Sequence, residues 1–410
     1  MTNKVKNVPE LRFPNFSEEW KKFVFKDQII SIEKGTDLLG SEDNMGIPLI
    51  KMGNIKRGYF SFNKLEKLRG SETIQEKYYI KKGDFLFNTR NTMELVGKSA
   101  TWTNKSGKFA FNSNIARLVL KDIDTYFFNY LYNTSKMINK VKSLAVGTTS
   151  VAAIYPRDLN HLNYFLPLLA EQEKIGEFFS KLDRQIELEE QKLEKLEEQK
   201  KGYMQKVFSQ ELRFKNENGN NYPEWEEKEL GDVATIVGGG TPNTKIAEYW
   251  NGDINWFSPV EIGNDIFVNE SKSKITELGL KKSSAKLLPT GTVLFTSRAG
   301  IGKTAILNSE ACTNQGFQSI VPNQSMLDSY YIYSRTNQLK KYAEIVGSGS
   351  TFIEVSGVQM RKMPIMLPSI TEQEKIGVFF KKIDDSLKKQ SDKIGLLKER
   401  KKGFLQKMFV

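Results

Sequence analysis

The side chains of this 410-residue chain best suited to recognition lie in turn-like segments rich in Arg, Lys, Asn, Gln and hydroxyl groups. Arginine can make paired hydrogen bonds to guanine, and Asn or Gln to adenine, in the major groove of a duplex. Lysine, Ser, Thr and glycine-rich backbone suit phosphates. In the first half the candidates are Lys51, Asn54, Lys56, Arg57 and Tyr59 (IKMGNIKRGY), Asn88, Arg90 and Asn91 (FNTRNT), Lys98, Thr148 and Thr149. In the second half they are Ser297, Arg298 and Lys303 (TSRAGIGKT), Asn314 and Gln315 (TNQGF), Ser348 and Ser350. A single such residue is equally compatible with a solvated turn, so the reading rests on the clusters.

No catalytic set accompanies them. His161 is the only histidine and Cys312 the only cysteine, so multi-histidine zinc sites and intramolecular disulfides are excluded. Cys312 reads as a small buried hydrophobe and His161 as a structural residue. Gly302-Lys303-Thr304 needs a glycine five residues before Gly302 to be a phosphate loop, and Ser297 stands there. Gly238-Gly239-Gly240 lacks dinucleotide spacing and runs into the turn signal Thr241-Pro242. Glu226-Glu227-Lys228 matches the end of a nuclease pattern, but such tripeptides are frequent in a charged chain. No Pro-Pro pair exists, so the Asn-Pro-Pro-aromatic pattern of adenine methyltransferases is missing.

Composition agrees with a binding role. Hydrophobic residues make up 39%, which is globular, and apolar runs are too short and too interrupted by charge to span a bilayer. The N-terminus lacks an apolar signal core, and the lone cysteine suits a reducing cytoplasm. A net charge of +12 favours a polyanionic partner, nucleic acid before membrane.

The elements that must position these loops are written twice. EQEKIGEFFSKLD (171–183) recurs as EQEKIGVFFKKID (372–384), KKGYMQKVF (200–208) as KKGFLQKMF (401–409), and Glu10-Leu11-Arg12-Phe13 as Glu211-Leu212-Arg213-Phe214, all 201 positions apart. Both copies read as long helices. One seam runs through Leu182, Ile186, Leu193, Leu196, Tyr203 and Val207, the other through Ile383, Leu387, Ile394, Leu397, Phe404 and Met408. With Glu189, Lys200, Gln390 and Lys401 filling the gaps, the spacing alternates four and three, an a/d heptad pattern. At about 1.5 Å per residue each helix is a rod of roughly 55 Å.

Over 171–208 eight basic residues face ten acidic ones, while over 372–409 eleven face six, so the copies carry opposite net charge. That difference predicts pairing between the two helices, the alternative being two solvated faces that never meet. Thr371 and Glu374 suggest a capping box at the second helix start. Gly202 and Gly403 sit inside the helices and suggest a kink or a close backbone approach.

Between the helices lie two regions with short β-like runs (85–87, 116–120, 292–295) and one aromatic, helical stretch each (125–142, 329–344), an α+β pattern. They align loosely: Trp20 with Trp225, Asp27 with Asp232, Gly97-Lys98-Ser99 with Gly302-Lys303-Thr304. The helices hardly diverged while the globular parts did.

Taken together, LRFPNF with Trp20, the two EQEKIG…KKG(Y/F)(M/L)QK helices, TSRAGIGKT and TNQGF resemble the specificity subunits of bacterial type I restriction–modification systems, over essentially the whole chain. The resemblance implies an α+β fold with two globular target-recognition domains joined by two long helices packed as an antiparallel coiled coil, a pseudo-twofold internal repeat. The expected boundaries are 1–167 for the first target-recognition domain, 168–210 for the central spacer helix, 211–367 for the second domain and 368–410 for the C-terminal spacer helix. It further implies a non-catalytic, cytoplasmic subunit that binds double-stranded DNA, each domain reading one half of a bipartite target. The helices would set the spacing and dock two modification subunits that methylate adenine, with restriction subunits joining them. No cofactor is expected in the chain; S-adenosylmethionine, ATP and magnesium would serve the partners. Two other classes stay open, an assembly scaffold without DNA contact and an enzyme with an unrecognised site.

Overall fold

The computed structural model describes residues 7–43, 45–104, 106–298, 300–347 and 354–410. The chain forms two compact units, 1–191 with 392–410, and 192–391.

In the first unit, Phe85–Asn88 is the centre of a four-stranded antiparallel sheet, flanked by Ile115–Leu120 and Ser99–Thr101, with Ile29–Lys34 outermost beside Ile115–Leu120. Successive side chains on a strand point to opposite faces, and here both faces are buried. Phe85 and Phe87 pack with Phe127, Phe128 and Tyr132 on one side, while Leu86 packs with Ile50, Ile55, Trp102 and Phe111 on the other. The second unit repeats this at Val293–Phe295: Val293 and Phe295 join Tyr331 and Ile332, and Leu294 joins Phe257, Leu288 and Phe317. A continuous apolar run is therefore what this strand needs.

The aromatic stretch expected as one helix is two, Thr125–Tyr132 and Ser135–Lys142, because the Thr134 side chain caps the second. Its counterpart likewise divides into Ser329–Ser334 and Thr336–Val346. A strand pair leads into each long helix: Lys21–Val24 with Asn163–Leu166, and Glu226–Glu229 with Pro364–Leu367.

The long helices span Leu169–Phe208 and Ile370–Lys407. The start of the second is capped by the Ser369 hydroxyl, which accepts from the Glu372 amide at 3.4 Å, so the cap lies two residues before the expected Thr371. The repeated Glu-Gln pair binds the globular part. Buried Glu171 accepts two hydrogen bonds from the Arg12 guanidinium at 2.6 and 2.7 Å, and buried Glu372 accepts from Arg213 at 2.9 and 3.4 Å. Gln172 Oε1 accepts from the Asp124 amide at 3.1 Å and Gln373 Oε1 from the Asp328 amide at 3.0 Å, fixing the N-caps of the two aromatic helices. Gly176 is needed for close approach, since a Cβ there would lie 2.8 Å from the Phe127 amide nitrogen.

Each unit contains the start of one long helix and the end of the other. In the first, Met408 is buried with Trp20, Phe127 and Phe179, and the Phe409 ring lies 5.5 Å from that of Phe127. In the second, Val207 is buried with Trp225, Tyr331 and Phe380. Asp183 pairs with Lys401 and Glu189 with Lys393, both at 2.5 Å, so within this unit the two helices run antiparallel. Lys398 with Glu190 at 2.6 Å and, in the second unit, Lys200 with Asp384 at 2.5 Å extend the charge pairing.

Along the seam Ile186, Val207, Ile394, Leu397 and Met408 are buried, and Leu182, Leu193, Leu196, Ile383, Leu387 and Phe404 half-buried. Tyr203 is more exposed and makes an edge contact with Phe379, ring centroids 5.2 Å apart. A Cβ at Gly202 or Gly403 would meet no atom within 4 Å, so no close approach among the described residues accounts for either glycine.

Candidate nucleic-acid interface

In the first unit three segments converge beside the sheet. Arg90–Asn91 forms a small antiparallel sheet with the ribbon Val146–Gly147 and Ala152–Ala153, and the Met93 amide donates to the Thr149 carbonyl at 3.0 Å. The loop carrying Lys56 and Arg57 joins them: the Gly58 amide donates to the Ser99 carbonyl at 2.9 Å, and Arg57 Nη2 donates to the Glu94 carbonyl at 3.2 Å. Asn129, on the first aromatic helix, donates from Nδ2 to the Gly58 carbonyl at 3.0 Å. Hence Lys56, Arg57, Tyr59, Arg90, Asn91, Lys98, Thr148 and Thr149 are brought into one region. Tyr59, Arg90, Thr148 and Thr149 are exposed, and Asn91 is half-buried with its Oδ1 accepting from the Thr92 amide.

Burial lowers the pKa of Arg57. Lys98 is lowered as well, first by burial and then by the neighbouring charges of Lys56 and Arg57. These cations form a region of concentrated positive charge.

In the second unit TSRAGIGKT is the connection between Val293–Phe295 and Thr304–Leu307, which pair antiparallel. A phosphate loop joins a strand to a helix, so this topology rules one out independently of the missing glycine. The Ser297 amide donates to the Gly316 carbonyl and the Val355 amide to the Ser297 carbonyl, drawing TNQGF and the 355 segment alongside. Gly239 and Gly240 lie against backbone, since a Cβ would sit 2.0 Å from the Asn314 carbonyl oxygen and 2.4 Å from the Ala285 nitrogen respectively. Close packing explains these glycines. Arg298 is half-buried, and Lys303 and Gln315 are exposed, with Gln315 Oε1 accepting from Thr241 at 2.5 Å. Asn314 turns its Oδ1 back to the Gly316 amide at 2.8 Å.

Three candidates require correction. Asn54, Asn88 and Ser297 are buried, so their side chains are not presented to a ligand. Asn54 accepts from the Lys51 amide and donates to the Ser61 carbonyl, holding its own loop, and Asn88, at the end of its strand, donates to the Met52 carbonyl and ties that same loop to the sheet. Lys51 is paired with Glu66 at 2.6 Å. Ser348 and Ser350 lie outside the described residues.

The sequence reading overlooked Val146 and Val151, 61% and 68% exposed on the ribbon that carries Thr148 and Thr149. Two valines flanking a Gly-Thr-Thr-Ser turn were the available signal. It also overlooked Lys340, whose side chain lies against Gly302. His161 is exposed in a turn. Cys312 is buried, and burial pushes its thiol up to about 11, which keeps it protonated and inert. Among the described residues no group of three or more His, Cys, Asp or Glu could hold a metal ion. No helix among them is long and apolar enough to cross a membrane.

The profile of the family described as type I restriction modification DNA specificity domain matches twice, over 17–198 and 222–395. The chain belongs to that family, with two copies of its domain. The MjaIX specificity subunit of Methanocaldococcus jannaschii is 37% identical over 192 residues, 45% of this chain and 44% of that protein, so the match spans less than half of that relative. The putative MjaX specificity subunit of the same organism is 26% identical over 415 residues, 97% of this chain and 95% of that one. Among solved structures, the S subunit of the M. genitalium type I restriction–modification system shares the fold over 98% of this chain and 99% of its own, with a TM-score of 0.64 at 16% identity.

Proposed function

We propose that the chain is the DNA-reading subunit of a type I restriction–modification complex, in which each globular domain recognises one half of a bipartite duplex target. The observation that carries this is the contrast between a repeated frame and unlike loops. Arg12–Glu171 and Arg213–Glu372 make the same buried pair, whereas the candidate loops differ, IKMGNIKRGY and FNTRNT in the first unit against TSRAGIGKT and TNQGF in the second. Two readers of two different sequences need this combination.

In this reading the helices set the number of unread base pairs and dock two modification subunits, and restriction subunits join them. The chain supplies no catalytic group. S-adenosylmethionine, ATP and magnesium serve the partners, and the complex works in the cytoplasm. The ribbon 146–153, exposed over 146–151, suits the major groove, which accepts a two-stranded β-ribbon, and Val146 or Val151 suits contact with a thymine methyl group.

The test is to map methylated adenines in DNA from cells that carry this chain and its modification partner. A split target with a fixed gap is expected. Deleting one heptad from both helices should then change the gap or abolish binding while leaving the half-site sequences alone. Sites that keep their spacing in that variant would overturn the spacer role, and purified chain cutting plasmid alone with magnesium would overturn the non-catalytic reading.

A further inference from the structure

We infer that Lys56, Arg57 and Lys98 grip one phosphodiester segment of the duplex backbone and hold the first unit in place without reading sequence. The inference rests on the DNA-reading role proposed above. It assigns Arg57 to the backbone, although arginine in a polar loop is otherwise a natural guanine reader.

The arrangement is built. Gly58 takes a positive φ of 87°, turning the chain directly after Arg57, and its amide donates to Ser99, the residue following Lys98. Asn129 holds the Gly58 carbonyl from below. Gly97, directly before Lys98, also has a positive φ, 74°, and a Cβ there would lie 2.8 Å from Val141 Cγ1. The backbone on both sides of the cluster is thus fixed by packing and hydrogen bonds, and the cations cannot simply drift apart.

Lys56 and Arg57 both lie close enough to act on Lys98, and the carboxylate of Glu94 acts on Arg57 and Lys98. Among the described residues none of the three forms an ion pair with a carboxylate; Arg57 reaches the Glu94 carbonyl instead. Holding like charges together in a partly dehydrated place costs free energy, and an anion seated among them removes the cost. The ribbon 146–153 adjoins the cluster through Met93 and Thr149, so a groove-seated ribbon would bring a strand of phosphates past these residues.

Among the described residues the second unit is arranged differently, with Lys340 against Gly302 beside Lys303. Its corresponding turn reads Ile262-Gly263-Asn264-Asp265, with Gly263 at a positive φ of 103° against the Lys303 side chain. Asp265 there lies 3.4 Å from Lys388. Of the three cations only Lys98 has a counterpart at the matching position, Lys303, so the three-residue grip is a feature of the first unit.

The experiment measures binding of the full chain to a labelled mixed-sequence duplex by fluorescence anisotropy across a salt series. Each phosphate contact contributes about 0.9 to the slope of log affinity against log salt. Lys98→Gln should reduce the slope by about 1, and Lys56→Gln with Arg57→Gln by about 2 more, while Lys98→Arg restores it. Sequences selected from a random duplex pool should be the same for variant and wild type.

An unchanged slope in variants whose thermal midpoint matches wild type overturns the inference, as does an altered base preference. Saturable binding of inorganic phosphate that Lys98→Gln abolishes, with the duplex salt slope unchanged in that variant, would assign the site to a free anion and overturn the duplex reading. If wild type shows no salt-dependent duplex binding at all, the proposed function itself has failed. If the triple variant does not fold, Lys98→Gln and Lys98→Arg decide the matter.

Discussion

Lys200 Nζ lies 2.5 Å from Asp384 Oδ1, and the Tyr330 hydroxyl donates to the other oxygen of that carboxylate at 2.8 Å. The first unit repeats the triad with Lys401, Asp183 and Tyr130. The two copies differ in solvent access: the Asp384 side chain is 7% exposed and that of Asp183 is 40%. A carboxylate left buried without its cation costs far more than one that water can reach. Lys200→Ala should therefore destabilise by about 2–3 kcal/mol, and Lys401→Ala by less than about 1 kcal/mol. Urea denaturation of both variants checks this, and equal losses would contradict it.

The Arg12–Glu171 pair offers a stronger contrast. Glu171 is fully buried, and the paired Arg12 contact is its cation. Arg12→Ala should cost about 3–5 kcal/mol, because an uncompensated charge stays behind. Glu372 keeps a second donor, the Trp225 indole at 3.2 Å, whereas the Trp20 indole nitrogen has no partner among the described residues. Arg213→Ala should thus be milder. The double variant Arg12→Met, Glu171→Leu should recover most of the loss, and failure to recover it would point to packing instead of charge.

Glycines inside the long helices divide into two kinds. At Gly176 a Cβ would meet Asp124 Oδ1 at 2.6 Å as well as the Phe127 nitrogen, so Gly176→Ala should displace the aromatic helix and lower the thermal midpoint. At Gly202 and Gly403 the space is open, and alanine should stabilise each helix by about 0.5–1 kcal/mol. If a modification subunit approaches the backbone there, the same variants will be more stable alone yet assemble less well. Co-purification with that subunit separates the outcomes.

Asp124 caps the first aromatic helix, and burial raises its carboxyl pKa, more than its backbone hydrogen bonds to Phe127 and Tyr126 lower it. A folded-state pKa above the unfolded one means the folded form holds the proton more tightly. Its contribution is then favourable below the unfolded value near 3.9 and is lost as pH rises through the folded value. Asparagine caps as well as aspartate and carries no charge. Asp124→Asn should gain stability relative to wild type at pH 7, and the gain should shrink towards pH 4. A gap that widens in acid would refute the assignment.

The rods were legible because their information is periodic and local. Leu182 to Val207 and Ile383 to Met408 announce a seam by spacing alone, and opposite charge foretold pairs such as Glu189 with Lys393. The recognition loops were legible only in part. An asparagine that faces out has the same sequence signature as one that ties its own turn, as Asn54 does, or a distant loop, as Asn88 does. Nor does sequence reveal that Arg57 and Lys98 are neighbours, since the bond from Gly58 to Ser99 that joins their loops is between backbones.

The placement of Met408 and Phe409 in the first unit's core bears on how the protein is made. Trp20 and Phe127 are made early, yet Met408 and Phe409, which close over them, are translated some two hundred codons after the first long helix has ended at Phe208. At about 5–20 residues per second the nascent first half waits roughly 10–40 s with that apolar surface open. The second half waits for nothing comparable, because Val207 precedes it. A messenger cut short between codons 392 and 408 would thus yield a chain whose defect lies in the half it had already finished encoding.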